Sequence, residues 1–212
     1  MRRTLRDLWA GHITADDYER HMAATGQPQA NADLLGELFR DAPPAPGARI
    51  LFAGAGTGQY FDYFPAAALA PYLPIFTDVN PTFLDRLAAR CIAMRRPCQT
   101  LVDDIEAPRV EGPFDLAIAI LVLEHVDWRR AVAELCRIAV RVFAIVQENP
   151  AGLSEGPLPG TLAALRHLPT QLVDRGELIA EFGGRSFELA RTSFRAVRDG
   201  KKMVGLDFRR RP

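Results

Sequence analysis

The sequence predicts an α/β fold: a three-layer sandwich with a seven-stranded, mostly parallel sheet, closed by a C-terminal antiparallel hairpin and preceded by N-terminal helices. Three features carry that expectation. Short apolar runs alternate with helix-patterned stretches from residue 49 to 149. The first run, Ile50-Leu51-Phe52-Ala53, passes directly into Gly54-Ala55-Gly56-Thr57-Gly58. The last two strand-like segments, 185–197 and 201–210, are joined at Asp199-Gly200, a dipeptide that suits the positive φ angles of tight hairpins.

In chain order, Thr14 caps a first helix running to about Ala24, with Asp17 three residues on as its capping-box acid. Gly26-Gln27-Pro28 breaks it. Pro28 then suits the first turn of a second helix, in which Leu34, Leu35, Leu38 and Phe39 recur at helical spacing. The proline-rich stretch 41–47 is a stiff connector. The expected division is a helical lid segment, residues 1–46, and one compact unit, residues 47–212. Tyr18, His21, Gln27, Gln29 and Asn31 either pack the lid onto the sheet or face a ligand beneath it.

Ile50–Ala53 has no polar interruption, as expected of a parallel strand covered on both faces. The glycines after it let a ligand approach backbone N–H groups. A helix is expected from near Gly58 to Ala68, its N-terminus aimed at the same place, with Pro71 and Pro74 beyond its end. Ile75–Asp78 is a second strand. Asn80 caps a helix with Pro81 at its first position and Phe83, Leu84, Leu87, Ala88 and Cys91 on its apolar side. Strands follow at 98–103, 114–120 and 141–146, with a turn at 123–127 and a helix at 128–138 between the last two. Residues 150–160 form a proline- and glycine-rich loop, 161–167 a short helix, and Thr170 caps a longer helix through about Phe182, ended by Gly183-Gly184.

Composition narrows the function. Lys plus Arg equals Asp plus Glu at 26 each, which leaves no footprint for nucleic acid or an anionic membrane. No apolar run approaches the ~20 residues of a membrane span, and the basic start lacks the apolar core of a signal peptide. The three cysteines, Cys91, Cys98 and Cys136, form no CxxC pair and no zinc spacing, so no metal is expected and a reducing cytoplasm is. The acids and amides Asp78, Asp103, Asp104, Glu124 and Glu148, together with His125 and Asn149, all fall at predicted strand C-terminal ends, where open α/β sheets bind ligands.

No Walker phosphate loop is present. A dinucleotide fingerprint needs G-x-G-x-x-G, and its third glycine position is Gln59. The pattern is instead G-x-G-x-G. Residues 50–58 resemble the first motif of class I S-adenosylmethionine-dependent methyltransferases. Asp78, twenty residues after Gly58, Asp104-Ile105, and Phe114-Asp115-Leu116 followed by 121–126 are similar to the later motifs of that family. The terminal hairpin matches the antiparallel strand that separates its Rossmann-like fold from nicotinamide-binding relatives.

The resemblance implies S-adenosyl-L-methionine as cofactor, methyl transfer as activity and a small-molecule acceptor as partner. It implies cofactor contacts from Gly54, Ala55, Gly56, Gly58, Asp78, Val79, Asp104, Ile105 and Leu121, with Asp78 on the ribose hydroxyls and Asp104-Ile105 on the adenine. Glu124 and His125 are catalytic candidates, or a helix cap and a packing residue. Methyl transfer needs a base only when the acceptor must lose a proton, and His125 has a suitable unperturbed pKa of about 6.5. His167, in the C-terminal insert, is a surface packing residue or part of an acceptor pocket. Phe52 departs from the family, which carries an acid there for the methionine ammonium. That leaves the ammonium to backbone carbonyls or to the N-terminal segment. A non-catalytic cofactor-binding protein and a nicotinamide-dependent oxidoreductase are the alternatives.

Overall fold

The computed structural model describes residue 9 and residues 13–95, 98–150, 171–198 and 200–212. The expected loop at 151–160, the short helix at 161–167 with His167, the Thr170 cap and Asp199 lie outside the described residues.

Seven strands form one sheet: β1 (Arg49–Ala53), β2 (Leu73–Asp78), β3 (Gln99–Val102), β4 (Leu116–Ile120), β5 (Arg141–Glu148), β6 (Phe187–Ala196) and β7 (Lys202–Arg210). Their order is β3-β2-β1-β4-β5-β7-β6. The first five are parallel, and β7 lies antiparallel between β5 and β6. The helices are α1 (Ala15–Thr25), α2 (Gln27–Asp41), α3 (Pro81–Ala93), α4 (Trp128–Ile138) and α5 (Arg175–Gly183). This is the sandwich the sequence predicts.

The alternation of side chains along each strand builds two cores. Ile50, Phe52, Leu116, Ile118, Phe143 and Ile145 face Leu34, Leu35 and Leu38 of α2. Leu51, Ala53, Ala117, Ala119, Val142 and Ala144 face α4 and α5. α2 is thus one of the sheet's covering helices, its three leucines fully buried. Across β5 and β7, Arg141 makes a two-pronged ion pair with the buried Asp207, at 2.7 and 2.8 Å. Arg141 also donates to Ala42 O, tying the end of α2 to the sheet.

Two expectations are corrected. No α-helix spans 58–68. The chain forms 3-10 turns at Gln59–Asp62 and Ala66–Leu69, separated by Pro65 in an extended conformation. Pro65 has no N–H to continue a helix, and Tyr60, Phe61 and Phe64 all bury into the core, which a short tight turn allows. No α-helix therefore aims its dipole at the glycine turn from this side. The last helix begins at Arg175, capped by Asp174, whose side chain accepts from Glu177 N at 2.9 Å. The hairpin turns at Gly200, whose φ of 82° is open to glycine at no steric cost.

Candidate cofactor and catalytic site

The strand order reverses between β1 and β4, so a crevice opens at their C-terminal ends. Gly54 sits there with φ 64°, and a Cβ on it would lie 2.4 Å from Val122 Cγ2. Gly56, with φ 59°, would place a Cβ 3.3 Å from Tyr18 Oη. The backbone at both positions is left bare because neighbouring side chains occupy the space a Cβ needs. Across the crevice Leu121 holds φ 52°, uncommon for a residue with a side chain, while its N–H donates to Ile145 O at 2.8 Å. Strain of this kind clusters at binding sites.

Asp78, at the end of β2, is 9% exposed. Its carboxylate accepts from Gly56 N and Asn80 N, both at 2.9 Å, and from the N–H of Val79. Burial nevertheless pushes its pKa up to about 6. The acid therefore shapes the glycine turn directly. Each carboxylate oxygen has two acceptor sites, so these bonds leave it capacity for a ligand.

Asn80 caps α3, its Oδ1 accepting from Thr82 N at 2.9 Å. Its Nδ2 donates to Trp9 O at 2.8 Å and Ile13 O at 3.4 Å, fastening the N-terminal segment over the site. Asn80→Ala should lower stability by about 2 kcal/mol, from a lost cap and the stranded carbonyls, measured by urea unfolding.

The structure separates the two acids after β3. Asp103 is buried and accepts backbone N–H groups of Asp104, Arg109 and Val110 at 3.0–3.1 Å, so it holds the loop. Asp104 and Ile105 line a narrow cleft with Leu51, Ala53 and Thr77. That cleft is mostly apolar, small, and has Asp103 as well as Asp104 in its lining.

The N-terminal segment closes the other side. The Trp9 ring stands 4.6 Å from that of His125, and Tyr18 stacks on Phe83 at 5.0 Å. Glu19 of α1 pairs with Arg90 at 2.5 Å and Arg86 at 3.3 Å on α3, and Arg90 also donates to Thr57 O in the glycine turn. Beneath this cover a second cleft is lined by Tyr18, Met22, Asn31, Gly54, Gln59 and Tyr60. Asn31 and Tyr18 were legible as polar lid residues. Gln59, Tyr60 and Trp9 were not, because nothing in their local pattern distinguishes them from packing residues.

Glu124 and His125 form a 3-10 turn after β4. Glu124 Oε1 accepts from Gln147 N at 2.8 Å, while its buried Oε2 has no partner. Burial pushes its pKa up to about 7. Burial pushes His125 the other way, to about 4, with His21 adding repulsion. The native state thus holds a proton on Glu124 that the unfolded chain releases above a pKa of 4.5. Stability from this group is full below pH ~4.5 and falls as pH rises through ~7, by up to about 3 kcal/mol. His125 acts oppositely, losing stability as pH falls from ~6.5 to ~4. Between about pH 4.5 and 6.5 the two contributions oppose each other, so Glu124→Gln should uncover the His125 loss, and stability in a urea-unfolding series should then fall more steeply with falling pH than in the wild type.

Phe52, where the resembling family carries an acid, is 1% exposed. Its ring stacks on Phe76 at 4.8 Å and lies 6.3 Å from Tyr60 and 6.1 Å from Phe61. The position has been absorbed into an aromatic cluster under the turn. Among the described residues, no group of three or more His, Cys, Asp or Glu side chains could hold a metal ion, and no helix is long and apolar enough to cross a membrane.

Known proteins share this fold. Residues 51–141 match a family model described as "Methyltransferase domain". A stretch of 142 residues, 62% of this chain, is 32% identical to part of polyketide synthase ThaG of Burkholderia thailandensis, and it spans only 2% of that much longer protein. Among solved structures, magnesium protoporphyrin IX methyltransferase of Synechocystis PCC 6803 with bound SAH has a TM-score of 0.71 at 16% identity, over 91% of this chain and 86% of that one. Geranyl diphosphate C-methyltransferase of Streptomyces coelicolor A3(2) has a TM-score of 0.61 at 13% identity, over 84% and 79%. The [4+2]-cyclase SpnF has a TM-score of 0.66 at 15% identity, over 84% and 80%.

Proposed function

We propose that the chain carries a class I S-adenosylmethionine-dependent methyltransferase domain, as the match of residues 51–141 to a methyltransferase family model supports, and that it passes a methyl group to a small-molecule acceptor. The observation that carries the reading is the grouping of three features along one edge of the sheet. They are the apolar slot with Asp104 and Ile105, the carboxylate of Asp78, and the cleft of buried polar groups beside Gly54. Their order suits an adenine, a ribose and an amino-acid tail, so the residues present fit the cofactor. Gly54, Ala55, Gly56, Gly58, Val79 and Leu121 supply the backbone around it. When bound, S-adenosylmethionine supplies a methyl already activated on its sulfonium, and the protein's work is alignment and exclusion of water.

The acceptor would lie toward Glu124, His125, Gln147 and Asn149, at the C-terminal ends of β4 and β5. Gln147 joins this group to the N-terminal helices, accepting from Gln27 at 3.3 Å and donating to Asn149 at 2.9 Å. If the acceptor must lose a proton, Glu124 is the better base, since its pKa near 7 matches the working pH. His125 stays neutral at that pH and serves as a wall with Trp9. Sequence reasoning favours His125 on its unperturbed pKa; burial reverses the order.

The balanced charge supports a small acceptor over nucleic acid, and the sparse free thiols support a reducing compartment such as the cytoplasm. The test is incubation with methyl-labelled S-adenosylmethionine and a panel of carbon acids, phenols and amines. Label should pass to one class with equimolar S-adenosylhomocysteine, and Glu124→Gln should remove the pH-rate limb near 7 where that class must be deprotonated. Tight S-adenosylhomocysteine binding with no transfer across the panel would favour a non-methylating use of this fold, as the likeness to a cyclase illustrates.

A further inference from the structure

Resting on the reading of this crevice as a cofactor site, we propose that Asn31, Gln59 and Tyr60 together receive the α-ammonium of the cofactor's amino-acid end. They would replace the carboxylate that Phe52 displaces.

Asn31 is 2% exposed and Tyr60 6% exposed, yet Asn31 Oδ1 and Tyr60 Oη have no hydrogen-bond partner. Gln59 Oε1 is also buried and unpartnered. Its orientation is set by the other end of the amide, where Nε2 donates to Glu19 O at 3.0 Å. Native folds leave only a few such atoms unpaired per hundred residues, so a local concentration of them is informative. Here three line the same cleft, against the backbone of Gly54.

Chemistry matches the set to a cation. Asn31 Oδ1 and Gln59 Oε1 can only accept, and the Tyr60 phenol stays neutral because burial pushes its pKa well above the usual value. An ammonium brings three donors to three acceptors, each bond strengthened by the ligand's charge. The neighbouring carboxylates are committed elsewhere. Glu19 is held by Arg90 and Arg86, and the acceptor capacity that Asp78 has left is assigned to the ribose in the reading above. Phe52 packs beside Tyr60 and leaves no room for an acid of its own. Two of the three residues follow directly on the glycine turn, and the third comes from α2, so the N-terminal helices complete the site.

The test compares S-adenosylhomocysteine with 5′-methylthioadenosine, which lacks the amino-acid end, by calorimetry on the wild type, Asn31→Leu and Tyr60→Phe. Each variant should bind S-adenosylhomocysteine about tenfold more weakly and methylthioadenosine unchanged. Unliganded Tyr60→Phe should be at least as stable as the wild type, since it removes an unpaired buried hydroxyl while keeping the ring. An unchanged ratio of the two affinities in both variants would overturn the proposal. Failure of the wild type to bind either compound would instead overturn the cofactor reading, and the proposal with it.

Discussion

A Phe52→Asp protein should be at least about 4 kcal/mol less stable than the wild type and should not gain affinity for S-adenosylhomocysteine. Restoring the acid that the resembling family carries looks, on the sequence, like a repair. In the structure Phe52 is fully buried among Phe61, Phe76 and Tyr60. Truncating a buried phenylalanine costs about 3–5 kcal/mol through lost burial and the cavity left behind, and an unpaired carboxylate in that cavity adds a desolvation cost. Against a total stability of about 5–15 kcal/mol, this is a large fraction. Urea unfolding measures it, with Phe52→Leu as the control that loses ring stacking without adding charge. A Phe52→Asp protein of wild-type stability that binds the cofactor more tightly would show the position still open to the site.

Asp78→Ala should weaken S-adenosylhomocysteine binding at least tenfold. Two effects act together. Ribose hydroxyls lose an ionised acceptor, worth about 1.5–3 kcal/mol for a charged hydrogen bond. The Gly56 and Asn80 N–H groups lose the carboxylate that holds the turn in shape. Because the pKa of Asp78 stands near 6, wild-type affinity should also fall between pH 7 and 5 as the acceptor is protonated. In Asp78→Ala that component of the pH dependence should disappear. Calorimetric titration at both pH values checks this, and an alanine variant of unchanged affinity would make Asp78 a turn residue only.

Much of the fold was legible because the chain is locally consistent. Ile50–Ala53 and 116–120 are uninterrupted apolar runs, Asn80-Pro81 is an unambiguous helix start, and Trp128–Ile138 carries a clean apolar face. The misread stretch, 58–68, was expected as a helix because the glycine turn reads as leading into a helix start. The competing demand was tertiary: three aromatic side chains had to enter one core past Pro65. The site residues divide the same way. Asp78 and Asp104 could be found from their places after strands. Tyr60, Gln59 and Trp9 could not, since their roles arise only when α2 and the N-terminal segment close on the glycine turn. The pKa values of Glu124 and His125 were equally hidden, because burial, which residue identity does not carry, sets both.

The central claim is that the crevice beside Gly54 and Asp78 holds an adenosyl cofactor with an amino-acid tail. Calorimetric titration of the wild-type protein with S-adenosylhomocysteine at pH 7.5 tests it most directly. The structure predicts one site per chain with a dissociation constant in the micromolar range or tighter. No heat of binding up to high micromolar ligand, together with thermal protection by NADH instead, would contradict it.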